Sequence, residues 1–358
     1  MSKNKKVLII TAATMAASVF LSGCGLFGGD EKKEIDPPQD FTYVDEGNSE
    51  VTGQTPDLKD GEGGEEASES TRMTELYLID KNGYVVSQTM GLPNSEGVAK
   101  QALEYLVENG PVTDILPNGF RAVLPADTQI SVNIKNGTAT VDFSKEFQNY
   151  KAEDEEKILQ SITWTLTQFD TINKVKVQMN GHELSEMPVS GTPIGEELSR
   201  ANGINMTTAD VVDITNTRPV TVYYLGGSEE NYYYVPVTLR VSNKEKDNIT
   251  AAVNELIQGP AFTSALDTDF LPTVKLLEKP KFEDGKVTLN FNEFVYGSFE
   301  EKVISQHALN SLVLSLTEQA GVESVTVLVN GKADIVNEQG QPITEPVIRP
   351  ERVNTENL

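Results

Sequence analysis

Apolar and polar positions alternate with period two along the chain, give way to a helical period, and then alternate again. The alternation starts at "TELYLID" (74–80), turns at Lys81-Asn82-Gly83 and returns through "YVVSQTM" (84–90). Asn-Gly supplies the positive φ that a tight hairpin needs. Val98, Ala102, Leu103, Leu106 and Val107 then share one helical face, and Gly110-Pro111 ends it. Ile130, Val132 and Ile134 alternate, Asn136-Gly137 turns the chain, and Ala139, Val141 and Phe143 alternate back. A longer helix is expected to open on Glu153, Asp154, Glu155 and Glu156, whose charge complements the helix dipole. Its buried stripe is Ile158, Ile162, Leu166 and Phe169, and a last strand carries Val175, Val177 and Met179.

The same order returns in the second half. "VTVYYL" (220–225) and "YYYVPVTLRV" (232–241) flank a Gly-rich turn. Ser242-Asn243-Lys244-Glu245 reads as a capping box for the next helix, and Gly259-Pro260 as its stop. Asp284-Gly285 turns a hairpin with Val287, Leu289 and Phe291 inward. Glu300 and Glu301 are expected to open a helix bearing Ile304, Ala308, Leu312 and Leu316, and Val325, Val327 and Val329 close the copy.

Direct comparison supports a duplication. "SITWTLTQFDTINKVKVQMNG" (161–181) and "SLVLSLTEQAGVESVTVLVNG" (311–331) share seven identical positions without a gap. "NGTATVDF" pairs with "DGKVTLNF", and "GTPIGEELSR" (191–200) with "GQPITEPVIR" (340–349), in the same order. Each copy predicts β-β-α-β-β-α-β. The expected fold is α+β: two tandem small domains, each a mostly antiparallel sheet with two helices on one face. The boundaries read as 72–184 and 218–335, with a linker at 185–217 that has little core of its own and an extension at 336–358.

The first 24 residues differ in kind. Lys3, Lys5 and Lys6 precede an apolar run from Val7 to Leu21, too short for a membrane span. Leu21-Ser22-Gly23-Cys24 then matches a lipobox. The Cys24 thiol is the expected site of lipid attachment: it takes a diacylglyceryl group, cleavage frees the amine, and a further acyl chain such as palmitate follows. Two or more chains give stable anchoring. With one cysteine in 358 residues there is no disulfide and no thiolate metal site. Residues 25–71 are rich in Gly, Glu, Asp, Ser and Pro and are expected to form a disordered acidic tether.

The chain carries a net charge of −25. Nucleic-acid binding requires a basic footprint, so that class is excluded. Two histidines, His182 and His307, fall at unrelated places in the copies and do not build a zinc site. No nucleophile elbow, Walker lysine, Rossmann glycine run or His-Glu-x-x-His helix occurs. No catalytic residue, metal ligand or cofactor is therefore assigned. Carboxylates are numerous, so an acid–base pair remains an alternative, although Glu153 to Glu156 suit a helix start. Tyr223, Tyr224, Tyr232, Tyr233 and Tyr234 either cover the core or, where alternation turns them outward, anchor an interface. Trp164 matches Leu314 of the other copy, which favours packing.

Taken together, the lipobox, the acidic tether, the endings "VKVQMNG" and "VTVLVNG", and the tails "PIGEELSRANGIN" and "PITEPVIRPERVN" resemble the GerM family of sporulation and spore germination lipoproteins. The resemblance spans residues 72–354 and implies two GerMN domains similar to the ring-building motifs of secretion machines. It further implies a non-enzymatic lipoprotein on the cell membrane, facing the intermembrane space around the forespore. There it would help assemble or localise a trans-envelope channel between mother cell and forespore, with sporulation channel or envelope proteins as partners, and serve normal germination. The alternative is a protein that binds or hydrolyses spore-cortex peptidoglycan. A solute-binding lipoprotein fits less well, because the copies are small for a two-lobed cleft. The oligomeric state is not set by the sequence.

Overall fold

The elements follow the expected order in both copies. The structure, a computed structural model, describes residues 71–207, 214–228, 231–298 and 302–355. Cys24, the signal segment and all of the tether but Thr71 lie outside these residues. The first module contains β1 (Thr71–Asp80), β2 (Val85–Pro93), α1 (Val98–Glu104), β3 (Phe120–Arg121), β4 (Ile130–Lys135), β5 (Thr138–Phe143), α2 (Glu155–Leu166), β6 (Lys174–Met179) and β7 (His182–Glu183). The second contains β8 (Thr217–Ser228), β9 (Asn231–Ser242), α3 (Asn248–Gln258), β10 (Lys281–Glu283), β11 (Lys286–Phe291), β12 (Tyr296–Ser298), β13 (Val303–Ile304), α4 (Gln306–Thr317), β14 (Ser324–Val329) and β15 (Val347–Ile348).

The class is α+β with mostly antiparallel strands, as expected, but each module divides its strands between sheets. The long hairpin β1–β2 takes β3 at its edge, while β4-β5-β6-β7 form a separate sheet. In the second module β8–β9 stand apart from β10-β11-β14-β15. The central pairs β5–β6 and β11–β14 are parallel, because a helix crosses over between each pair.

The helix composition explains the division. Of the expected stripe of α2, Ile158, Ile162 and Leu166 are buried, while Phe169 lies beyond the end of the helix and is half-buried; Leu159, Ser161, Thr163, Trp164 and Thr165 are buried as well. From Ser161 to Leu166 the helix is buried on every face and needs cover on two sides. The hairpin supplies one and the β6 sheet the other. In α4 the run from Leu312 to Leu316 is likewise buried.

Helix side chains also close the outer edge of each hairpin. Thr165 Oγ1 accepts the Tyr77 N–H at 3.1 Å, and Gln168 Oε1 accepts the Glu75 N–H at 2.8 Å. In the second module Ser315 Oγ accepts the Tyr223 N–H at 2.8 Å, and Gln319 donates to the Thr221 carbonyl at 3.2 Å. An open row of strand donors and acceptors is thereby satisfied.

Tight turns follow the sequence. Asn136-Gly137, Asn180-Gly181, Asp284-Gly285 and Asn330-Gly331 have positive φ at both residues. Helix starts depart from it. The cap of α3 is Asp247, whose carboxylate accepts from Ile249 and Thr250 at 3.1 and 3.2 Å. Ser242 remains paired with Thr217 in β9, so the anticipated capping box never forms. Helix α4 starts at Gln306 behind Ser305; Glu301 and Glu300 lie outside the described residues, ahead of β13. Helix α1 ends at Glu104, before Leu106 and Val107, because Val107 is drawn into a bridge with Leu124.

The segment joining the modules has more core than its composition suggests: Met187, Ile194, Leu198 and Ile204 are all buried. Leu198 pairs with Val175 through two backbone bonds of 2.8 Å, extending the β6 edge.

Candidate functional site at the module junction

The residues that follow each module cross to the other. After the first module, the Ile204 carbonyl accepts the Thr238 N–H at 2.9 Å, and the Ile204 N–H donates to Thr238 Oγ1 at 2.9 Å. After the second, the Val353 carbonyl accepts the Thr89 N–H at 3.2 Å, and the Val353 N–H donates to Thr89 Oγ1 at 2.9 Å. An asparagine follows in each case. Asn205 Oδ1 accepts from Val85 N–H at 2.8 Å, and its Nδ2 donates to the carbonyls of Val85 and Pro236 at 2.7 and 2.8 Å. Asn354 Oδ1 accepts from Tyr234 N–H at 2.7 Å, and its Nδ2 donates to the carbonyls of Tyr234 and Ser87, both at 2.8 Å. Both asparagines have positive φ, 46° and 55°, a region that Asn tolerates better than most residues. β2 and β9 therefore lie alongside each other in opposite directions, laced twice about an approximate twofold axis. Pro236 needs no donor partner on this edge.

A charged cluster is built beside the seam by the same two tails. Arg200 lies over the Trp164 ring, 4.3 Å from its centroid, donates to Thr167 Oγ1 at 3.1 Å, and reaches both Glu318 oxygens at 2.8 and 2.9 Å. Arg349 lies over Tyr223, donates to its hydroxyl at 3.2 Å, and stands 3.8 Å from Glu318. The Tyr223 hydroxyl donates to Glu318 at 3.2 Å, and the Tyr77 hydroxyl to Glu75 at 3.2 Å. Burial pushes the Tyr223 hydroxyl up to about 12 against the pull of Arg349. Both arginines stay protonated: burial opposes their charge, but the surrounding tyrosines and Glu318 more than restore it. The carboxylates, guanidinium groups and tyrosine hydroxyls of this cluster are paired with one another, and the Arg200–Glu318 pair spans the junction.

The approximate symmetry breaks at the ends of the seam. At one end Phe120 meets Tyr233 edge-on, with centroids 5.2 Å apart, and the Tyr233 hydroxyl donates to Asp80 Oδ2 at 2.7 Å. The other end is aligned by the Leu225–Asp267 bridge, which mirrors the Ile79–Arg121 pair. There Leu266 replaces Phe120, Gly226 replaces Asp80, and Tyr84 stands for Tyr233. The smaller residues leave a crevice of about 580 Å³ between the modules, walled by Tyr84, Tyr224, Val237, Leu239 and Leu266. Glu153 and Glu156 lie on its margin.

The residues singled out in the sequence are dispersed. Tyr223 and Tyr224 are buried, Tyr233 and Tyr234 half-buried, and Tyr232 alone of the row is exposed. The row chiefly covers core and seam. His182 is exposed on β7, while His307 on α4 contacts Tyr234 at 3.3 Å and the Tyr232 ring. Trp164 is buried, as its match to Leu314 implied.

The acidic helix start does more than complement a dipole. Asp154 pairs with Arg121 at 2.8 Å and Lys157 at 3.0 Å, which hold its carboxyl below the usual range although burial opposes them. Glu155 is buried and accepts from the N–H groups of Val189, Ser190 and Thr192 at 3.0, 2.7 and 3.1 Å, and from the Ser190 hydroxyl at 2.6 Å. Burial opposes its charge, but these donors outweigh burial and hold the carboxyl far below its ordinary value. Among the described residues no three His, Cys, Asp or Glu side chains stand together as a metal site.

Sequence reasoning missed the tails. The signal was present, since "GTPIGEELSR" and "GQPITEPVIR" repeat as clearly as the strands do. Repetition beyond the last strand implied a repeated structural task.

The family described as "Germane: Sporulation and spore germination" matches residues 75–185 and 221–334. The spore germination protein GerM of Bacillus subtilis (strain 168) is 59% identical over 361 residues, covering 98% of this chain and 99% of that protein. A solved structure, the tandem GerMN domains of the sporulation protein GerM from Bacillus subtilis, aligns with a TM-score of 0.76 at 63% identity, covering 80% of this chain and 99% of that one.

Proposed function

The chain belongs to the GerM family of sporulation and spore germination proteins with two tandem GerMN domains, and from that premise we propose that it is a non-enzymatic assembly or localisation factor. It serves a trans-envelope channel between mother cell and forespore, and through it the formation of spores that germinate normally. Lipid on Cys24 moors it to the membrane facing the intermembrane space, and the acidic segment 25–71 lets the body reach its partners, which are channel or envelope proteins.

The observation that carries the reading is the reciprocal crossing of the tails. It uses up the inner edges of both hairpins and joins two copies of one unit into a single body, while each four-stranded sheet keeps polar residues such as Lys135 and Lys286 exposed. That is the build of a protein that works by contact.

Two experiments test it. In cell fractionation, Cys24→Ala is expected to release a folded protein from membranes; membrane retention would place the anchor elsewhere. Purified protein offered spore peptidoglycan is expected to leave it intact. Release of muropeptides would overturn the non-enzymatic reading in favour of a wall-active one.

A further inference from the structure

We infer that the open crevice at the module junction receives an extended segment of a partner protein in which an aromatic residue is followed by a basic one. This rests on reading the chain as a docking factor and names the chemistry of one dock.

The molecule contains its own template. At the symmetry-related end of the seam, the equivalent space is filled by Gly119-Phe120-Arg121: Phe120 packs edge-on against Tyr233, and Arg121 pairs with Asp154 at 2.8 Å. At the open end Leu266 falls short of the space that Phe120 fills. The remaining volume, about 580 Å³, is that of a pocket for a small ligand or a few peptide residues. Tyr84, the counterpart of Tyr233, has a hydroxyl without a hydrogen-bond partner among the described residues. An incoming aromatic ring has an apolar wall to cover and a tyrosine face to meet.

Charge selects the rest of the occupant. Glu153 and Glu156 are exposed and have no ion-pair partner among the described residues, whereas neighbouring Lys157 is engaged by Asp154. A basic side chain beside the aromatic one would pair with them. The chain as a whole carries −25, so long-range attraction favours a basic segment and opposes a second copy of this chain.

The probe is the synthetic peptide Pro-Asn-Gly-Phe-Arg-Ala, the sequence of residues 117–122, added to the full chain in detergent and followed by saturation-transfer NMR. Its phenyl protons are expected to receive the largest transfer, and the Phe→Ala peptide to bind about tenfold more weakly. On the protein, Leu266→Phe fills the crevice and is expected to cost at least about tenfold in affinity. The double variant Glu153→Gln/Glu156→Gln is expected to lose about threefold and most of the salt dependence. Absence of binding at millimolar peptide overturns the inference, as does an unchanged affinity for Leu266→Phe in a protein with normal Trp164 fluorescence. Dimers in sedimentation that Leu266→Phe dissolves would make a second copy the occupant and overturn it equally. In sporulating cells, normal channel assembly with Leu266→Phe sinks this dock alone. Normal assembly without the whole chain sinks the docking reading itself.

Discussion

The two modules share a fold but are closed by different means. At the start of its long helix the first has Glu155, a buried carboxylate that gathers the donors of the 189–192 loop. The second has Ser305 there, a helix cap that also bonds Asp269. At the seam the first presents Phe120 and Asp80 where the second presents Leu266 and Gly226. Duplication has thus preserved what the common layers require, namely the fully buried second half of the long helix and the hydroxyl that fastens the hairpin. It has released what only one copy needs. The first module is the more polar in its fastenings and fills its end of the seam; the second leaves the crevice.

The largest test of that contrast is Glu318→Ala. It leaves Arg200 and Arg349 without their shared carboxylate, and breaking such a pair costs about 3–5 kcal/mol. Because the chain has a single tryptophan, Trp164 in α2, fluorescence reports the first module and hydrogen exchange reports both. The modules are expected to unfold together in the parent and at separate denaturant concentrations in the variant. A single shared transition in both proteins would show that the seam holds without the charge cluster.

Next in size is Glu155→Ala, expected to cost the first module about 3 kcal/mol, since it orphans several buried donors at once. Ser305→Ala should cost the second about 1 kcal/mol, as loss of a cap does. The same pair predicts a difference in acid. The carboxyl of Glu155 is depressed in the folded state, so its contribution is complete above the unfolded carboxylate range near pH 4.3 and is lost as pH falls below it. Unfolding midpoints between pH 5 and pH 3 should fall for the Trp164 signal, and Glu155→Gln should flatten that slope. Equal slopes in parent and variant would remove Glu155 as the cause.

Asn205→Ala and Asn354→Ala test the symmetry rather than the difference. Each removes three hydrogen bonds at equivalent places, and each is expected to cost about 1–3 kcal/mol. A double mutant short of the sum would show that one crossing depends on the other. The smallest effect belongs to Ser87, whose buried hydroxyl has no partner among the described residues. Ser87→Ala should raise the unfolding free energy by about 1 kcal/mol, read as a higher denaturation midpoint, because nothing is lost but a desolvated hydroxyl.

How much of this was legible in the sequence follows from range. The Asn-Gly and Asp-Gly turns at 136, 180, 284 and 330 and the alternating strands are local, and they read correctly; at Asn82-Gly83 only the glycine takes positive φ. Helix starts depend on whether the preceding strand keeps its partner: Ser242 stays with Thr217 and leaves the cap of α3 to Asp247. The separation of the hairpin from the second sheet was hidden, since alternation shows that a strand has a buried face and not which layer covers it. Thr165 and Ser315 were the clue, hydroxyl residues set next to Leu166 and Leu316 of the buried stripes. The crossing of the tails escaped altogether. Arg200, Asn205, Arg349 and Asn354 lie in Pro- and Gly-containing stretches that composition assigns to loops, and their partners lie in the other module.

The crossing also imposes an order of events. Thr89 and Val353 are 264 positions apart, and Ser87 and Asn354 are 267 apart. While the polypeptide is still being made, β2 has folded neighbours on one flank and an unfilled row of amides on the other. Asn205 closes the Val85 end of that flank, but the stretch from Ser87 to Thr89 is closed only when positions 353 and 354 arrive. A product truncated shortly before them is expected to keep the strands and helices of both modules and to leave Ser87 and Thr89 without these partners, which hydrogen exchange at Thr89 would report. The pairing of Ser87 and Thr89 thus records that synthesis has reached positions 353 and 354.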